Sequence, residues 1–263
     1  MPPARKRTRS YDSAKIRTAV LTQFGQVHEA VGALTPEQLA LPTRLGDWTV
    51  RDLAGHIAMA VGAVGRSVEQ PAPAKQEVGL LDWPFATAAH AGGISQDTKE
   101  LAAGAEPEEL YARTAARLAE LLPLASDERL LTTRVGAMRL GDYLVTRTVE
   151  LIVHTDDLNA ATGLGIPYDR QALAACTRLL ADALAVKAPG ASTEVRVPPF
   201  AVVQCVEGPR HTRGTPPNVV ETDPLTWIRL ATGRTRWAEE LDAARVSASG
   251  ERADLSGLLP ILG

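Results

Sequence analysis

A carboxylate and an imidazole stand one helical turn apart in Glu150-Leu151-Ile152-Val153-His154. At this spacing both side chains point the same way from one rigid element, and together they offer two ligands to a metal ion. The spacing serves a solvated i,i+4 pair equally well, so the pair alone decides nothing. His56 adds to it, because it stands among Leu53, Ile57 and Met59 on a mostly apolar element where an imidazole needs a partner. Taken singly it reads as a hydrogen-bonded core histidine. Helical bundles build metal sites from side chains on facing helices, and one histidine from one helix with glutamate and histidine from another leaves coordination positions open. Open positions belong to catalysis rather than to structure. Neutral imidazole and carboxylate suit zinc, and the same three ligands serve ferrous iron and nickel.

The elements that must position these groups follow from hydrophobic spacing. Ile16, Val20, Phe24, Val27 and Val31 recur at threes and fours and predict a helix over Tyr11 to Leu34. Thr35-Pro36-Glu37-Gln38 resembles a cap with proline at the first helical position and opens a short turn. Thr49-Val50-Arg51-Asp52 resembles a capping box with Asp for Glu. The run Val50, Leu53, Ile57, Val61, Val64 then predicts a second helix to about Arg66, carrying His56. Residues 67 to 100, rich in proline and glycine, read as a long connection with one short helix at most, and connections of that length are more often functional than idle. Glu106-Pro107 starts a third helix that ends at Pro123, and a fourth runs from near Met138 to Gly163. Four helices with one long crossover describe a bundle, expected over residues 11–167.

After Gly165-Ile166-Pro167 the pattern changes. One helix is expected from Asp169 to about Val186, then period-two strands at Thr193 to Val197, Phe200 to Val206 and Asn218 to Glu221. Asp223-Pro224 caps another helix, a helical stretch follows from Arg236, and Arg245 to Ser249 reads as a last strand. The expected fold class is therefore α+β in two domains, with a small α+β unit over residues 168–263.

Composition bounds the function. The 263 residues suit two cores, and 45% hydrophobic with 22% charged residues exclude disorder as the main state. No apolar stretch approaches the roughly 20 residues of a bilayer span, so no membrane insertion is expected. Residues 1–10 are basic and lack the apolar region of a secretory signal, so a cytoplasmic location is expected, with this arm solvated. The net charge of -3 gives no general attraction for nucleic acid. Cys176 and Cys205 are too few and too far apart for a disulfide framework and read as ordinary buried thiols.

The resemblance to a known family rests on two stretches, Gly46-Asp47-Trp48-Thr49-Val50-Arg51-Asp52-Leu53-Ala54-Gly55-His56 and Arg147-Thr148-Val149-Glu150-Leu151-Ile152-Val153-His154-Thr155-Asp156-Asp157-Leu158. Both resemble the mycothiol-dependent maleylpyruvate isomerase family, within the DinB-like superfamily of metal-binding four-helix bundles. Thr222-Asp223-Pro224-Leu225-Thr226-Trp227-Ile228-Arg229-Leu230-Ala231-Thr232-Gly233-Arg234 resembles the sterol-carrier-like domain that often follows the bundle. The resemblance implies that His56, Glu150 and His154 bind a divalent metal, usually zinc, and that the thiol of mycothiol is the cosubstrate. A metal beside a thiol stabilises the thiolate, which can add to an electrophilic carbon. In an isomerase the adduct rotates and eliminates, and in a transferase it persists.

Further residues are candidates beside this centre. The stretch from Ser67 to Glu100 contains no arginine, whereas the carboxylates of maleylpyruvate would want arginine clamps, so an S-transferase is expected before an isomerase. Arg147 is placed to bind an anionic group or orient Glu150, and equally to form an ordinary ion pair. Arg229 and Arg234 are further candidates from the second domain, with solvent-facing positions as the other reading. Asp157, three residues after His154, is the better of two aspartates to hold a ligand imidazole in its metal-binding tautomer, Asp156 being the other. His28 reads as a core-edge residue, His90 as pocket-lining or exposed, His211 as a loop residue and Trp48 as a packing anchor. The expected partners are mycothiol and a small electrophile, with the oligomeric state open between monomer and dimer. The alternative is a non-enzymatic lipid or small-molecule carrier using the second domain.

Overall fold

The computed structural model describes residues 9–208 and 217–262. Four long helices form the bundle: α1 (Ser13–Gly32), α3 (Val50–Glu69), α6 (Pro107–Leu121) and α7 (Leu140–Thr162). Each packs on two others in a ring, α1 and α3 both lying between α6 and α7. The caps explain where they begin. Asp12 accepts from Lys15 N at 2.9 Å, and Thr49 and Asp52 form the expected reciprocal box at the start of α3. α2 (Pro36–Leu39) is the short turn opened by Thr35.

The crossover from α3 to α6 holds more structure than its proline and glycine content suggests. It contains α4 (Trp83–Ala86), a 3₁₀ turn over Ala88–His90 and the fourteen-residue α5 (Ala91–Gly104), which packs on α3. Ile94, Thr98, Leu101 and Ala102 keep helical spacing, but two glycines at the start of α5 masked it.

A second departure concerns residues 130–139. These form a hairpin of β1 (Leu130–Thr133) and β2 (Gly136–Arg139), so α7 starts at Leu140 and Met138 lies on a strand rather than in the fourth helix. Leu131 and Met138 are directly opposed across the pair and both are fully buried. A two-residue turn, Arg134-Val135, joins the strands. Gly136 has a φ of +125°, open to glycine, and a Cβ there would lie 2.9 Å from Val78 Cγ2.

After Gly163, in the left-handed conformation at the end of α7, comes α8 (Arg170–Lys187). The strands β3 (Thr193–Val197), β4 (Ala201–Cys205), β5 (Val219–Thr222) and β6 (Val246–Ser249) make one sheet in the order β4-β3-β5-β6. β3 and β5 are parallel and the other neighbours antiparallel. α9 (Pro224–Ala231) and α10 (Trp237–Asp242) lie between β5 and β6 in the chain. The fold is thus α+β in two parts, as the sequence predicts.

α8 joins them. It packs on β4 and α9 and also on α1 and α7 of the bundle, so one apolar core runs from Ile16 through Leu151 and Leu180 to Trp227 and Ile261. Cys176 and Cys205 are buried within it. The basic arm is not wholly solvated: Arg9 makes two hydrogen bonds to Asp182 on α8, at 2.9 and 3.1 Å, and residues 1–8 lie outside the described residues. Among the described residues no helix is long and apolar enough to cross a membrane.

Candidate metal centre

α3 and α7 are neighbours in the ring, and their contact brings His56, Glu150 and His154 together with ligand atoms all within 4.8 Å of one another. His56 Nε2 lies 3.3 Å and His154 Nε2 3.4 Å from the same carboxylate atom, Glu150 Oε2. With metal–ligand bonds of about 2.0–2.1 Å, neighbouring donors of a tetrahedral ion stand about 3.3 Å apart. Both imidazole–carboxylate separations match that spacing, and two imidazoles with one carboxylate are a donor set that suits zinc.

The surroundings fix the rings. His56 Nδ1 lies 3.3 Å from Thr98 Oγ1, a fully buried hydroxyl on α5, and its ring sits 5.0 Å from that of Trp48. His154 Nδ1 lies 2.9 Å from Asp157 Oδ2, which leaves Nε2 for the cluster. Trp48 is anchored in turn by Nε1 donating to Ser95 Oγ at 3.0 Å.

Electrostatics favour the ligating form at two of the three residues. Burial lowers the His56 pKa despite Glu150. Burial would raise that of Glu150, but Arg147 and the two imidazoles outweigh it and hold the carboxyl well below its ordinary range. At His154 burial is likewise outweighed, by Asp157 and Glu150, and the pKa is raised. An ionised Glu150 and a neutral His56 are the forms a metal takes.

A cavity of about 620 Å³ opens on this cluster, lined by His56 and Glu150 at one side and by α4, α5 and the β1–β2 hairpin elsewhere. Arg147 lines it, with its guanidinium 4.4 Å from the Tyr143 ring centroid and 3.6 Å from Glu150 Oε1, and it donates to Ala60 O at 3.1 Å. His90 lines it too, whereas His28 pairs with Glu108 at 3.0 Å at the bundle edge and His211 lies outside the described residues. The crossover carries no arginine of its own, yet the cavity is not without them: Arg66 from α3 and Arg134 from the hairpin turn reach its lining. Sequence reasoning placed neither, because the hairpin was unseen and Arg66 stood at a helix end.

Arg229 and Arg234 are not among the cavity-lining residues. Arg229 holds Asp156 through two hydrogen bonds of 2.9 and 2.6 Å, and Arg234 Nη2 donates to Asp157 at 3.0 Å. Arg44, before α3, reaches both aspartates, with Nε 2.6 Å from Asp157 Oδ1. The two arginines thus clasp the second domain to α7, and Arg234 stands behind the carboxylate that holds His154. Thr98 and Arg44 were also missed from sequence. The helical spacing around Thr98 could have found the first, but nothing local marks the second.

Fold and cluster together define a two-domain α+β protein built on a four-helix bundle with a candidate metal centre. Residues 20–159 match the family model described as mycothiol maleylpyruvate isomerase N-terminal domain, and residues 169–261 match that described as bacterial SCP ortholog. The first match spans more than half of the chain, and the chain belongs to that family. Two solved structures share its fold: a crystal structure of the mycothiol-dependent maleylpyruvate isomerase, at 16% identity, and one of its histidine-to-alanine mutant, at 15%. Each has a TM-score of 0.60 and covers 93% of this chain and 95% of the other. Comparison with curated proteins finds no match.

Proposed function

We propose that the chain is a cytoplasmic, metal-dependent enzyme that uses the thiol of mycothiol to attack an electrophilic small molecule. The bundle over residues 11–167 would supply the metal centre, and the second domain over residues 168–263 would brace it. The observation that carries this reading is the cluster of His56, Glu150 and His154, the first two of which line a cavity large enough for a small-molecule ligand.

His56, Glu150 and His154 would hold the ion, zinc foremost. Bound there, a divalent ion would stabilise a thiolate at neutral pH. Asp157 and Thr98 keep the imidazoles oriented, Arg147 keeps Glu150 ionised, and Trp83 and Ile94 give the acceptor an apolar wall. In S-transfer a C–S bond forms while the thiol proton and the acceptor's leaving group depart. In cis–trans isomerisation the C–S bond forms at a double bond, the remaining single bond rotates, and elimination returns the thiol. Transfer is the reading we favour, and Arg66, Arg134 and Arg147 along the cavity keep an anionic acceptor, and with it isomerisation, within the same scheme. Among the described residues the cavity lining runs entirely from His56 to Glu150, which favours an enzyme over a carrier with its pocket in the second domain.

The test is metal content by mass spectrometry on protein purified without added metal, beside His154→Ala. Near-stoichiometric divalent metal that is lost in the variant is expected, followed by mycothiol-dependent turnover of an electrophile panel. A metal-poor pair that takes up no metal on reconstitution overturns the reading.

A further inference from the structure

Thiol attack on an acceptor needs a proton at the acceptor as well as a thiolate at the ion. As the sulfur attacks, an electron pair is pushed onto a leaving group or onto the oxygen of a conjugated carbonyl, and a positioned acid that neutralises it contributes about 10²–10⁴-fold. Few groups in the cavity can serve. His56 and Glu150 belong to the cluster, and Arg66, Arg134 and Arg147 carry charge without releasing a proton. Asp97 is engaged by Arg134. The Tyr143 ring is covered by the Arg147 guanidinium, 4.4 Å from its centroid, and an imidazole, unlike a phenol, exchanges its proton near neutral pH. His90 is half-buried and lines the same cavity, and among the described residues its ring has no hydrogen-bonding or ionic partner.

The place of His90 along the cavity follows from α5. It stands immediately before that helix, and His90, Ile94, Asp97 and Leu101, four, three and four residues apart, line the cavity as one face. Thr98, on the same face, meets His56 Nδ1. It is eight residues on from His90, about 12 Å at the rise of a helix. His90 is thus set at the end of the cavity away from the cluster. From there it is too far to take the proton of a thiol at the ion, and it lies across the space that an acceptor would fill. The hairpin turn closes over this end. Arg134 Nη1 would stand 3.4 Å from a Cβ at Gly93, so glycine there lets the guanidinium cross the start of α5 to Asp97.

Resting on the proposed function, we propose that His90 is the catalytic acid that gives a proton to the acceptor. The sulfur forms its bond to carbon, the displaced electron pair settles on the acceptor's oxygen or leaving group, and that atom takes the proton of the His90 imidazolium. The neutral imidazole is recharged from solvent, into which the thiol released its own proton at the ion. Thiol and acceptor together therefore balance the product.

The test compares two aromatic ketones, with mycothiol and the metal-loaded protein. Phenyl vinyl ketone needs a proton to complete its adduct, whereas 2-bromoacetophenone releases bromide, which needs none. His90→Gln is expected to lower kcat, above the uncatalysed rate, about 100-fold for the first and less than about twofold for the second, with metal content unchanged by mass spectrometry. Added imidazole is expected to restore His90→Gly on phenyl vinyl ketone. Independently of turnover, the His90 ring signals in the NMR spectrum, assigned by their loss in His90→Gln, should shift on adding propiophenone, the saturated ketone. Equal falls for both ketones, no fall for phenyl vinyl ketone, wild-type turnover of the bromoketone alone, no rescue by imidazole, or ring signals that ignore propiophenone each overturn the role of His90 and leave the metal centre standing. Wild-type protein that holds metal but turns over neither ketone overturns this role and the enzyme reading together.

Discussion

Asp157 Oδ2 stands 2.9 Å from His154 Nδ1, and the same oxygen takes Arg234 Nη2 from the second domain at 3.0 Å. A fully buried carboxylate thus ties a candidate metal ligand to a guanidinium on the other half of the molecule. Asp157→Asn keeps the shape and removes the charge. It is expected to weaken metal binding about 10- to 100-fold, the usual cost of losing the group behind a ligand histidine. Competition with a chromophoric chelator measures this, and unchanged affinity would show that His154 needs no carboxylate behind it.

Asp156 and Arg229 form the companion contact, bidentate and with the aspartate side chain only 4% exposed. A double-mutant cycle with Asp156→Asn and Arg229→Met should give a coupling energy of about 0.5–3 kcal/mol by urea denaturation. The low half of that range is expected because Arg229 is partly exposed and solvent screens it. Loss of Arg229 should also quicken proteolysis after Thr162, where the chain leaves α7. A coupling of zero would mean that this pair adds nothing to the α8 packing and the Asp157–Arg234 contact that also join the domains.

Tyr168 donates to Asp156 Oδ1 at 3.0 Å, and burial, helped by Asp156 and opposed by the hydrogen bond from Asn159, pushes its phenol up to about 12. An unfolded tyrosine titrates near about 10. The folded state therefore keeps a proton that the unfolded chain releases, so the contribution is full below about pH 10 and is lost as pH rises toward 12. Tyr168→Phe should flatten part of the alkaline fall in the urea midpoint between pH 9.5 and 11.5, and equal slopes in both proteins would contradict the shift.

Gly136 sets the aim of the hairpin turn that brings Arg134 and Val135 to the cavity. Gly136→Ala meets both the +125° φ and Val78, and should destabilise by on the order of 1–3 kcal/mol. Thermal unfolding reads the loss. A neutral substitution would require the hairpin to shift without consequence, and metal binding is expected to survive in either case.

The sequence by itself determined the four bundle helices and the Glu150–His154 pair, because 3.6-residue periodicity and i,i+4 spacing are local properties, whereas His56 joined them only through the family resemblance. Thr49, Pro107 and Asp223 likewise announced their helix starts, since capping is satisfied within one turn. It determined the sheet segments too, by their alternation, and the polar character of Asp157 so close to His154. Only the tertiary structure decided that Arg229 and Arg234 serve the interface with α7 rather than the cavity, because a partner more than 70 residues away leaves no trace in local spacing. The same holds for Thr98, whose role depends on α5 lying against α3. The hairpin was hidden for a related reason. Leu130-Leu131-Thr132-Thr133 and Gly136-Ala137-Met138-Arg139 do not alternate apolar and polar residues, and the hairpin's stability comes from Leu131 and Met138 meeting beneath it in the core.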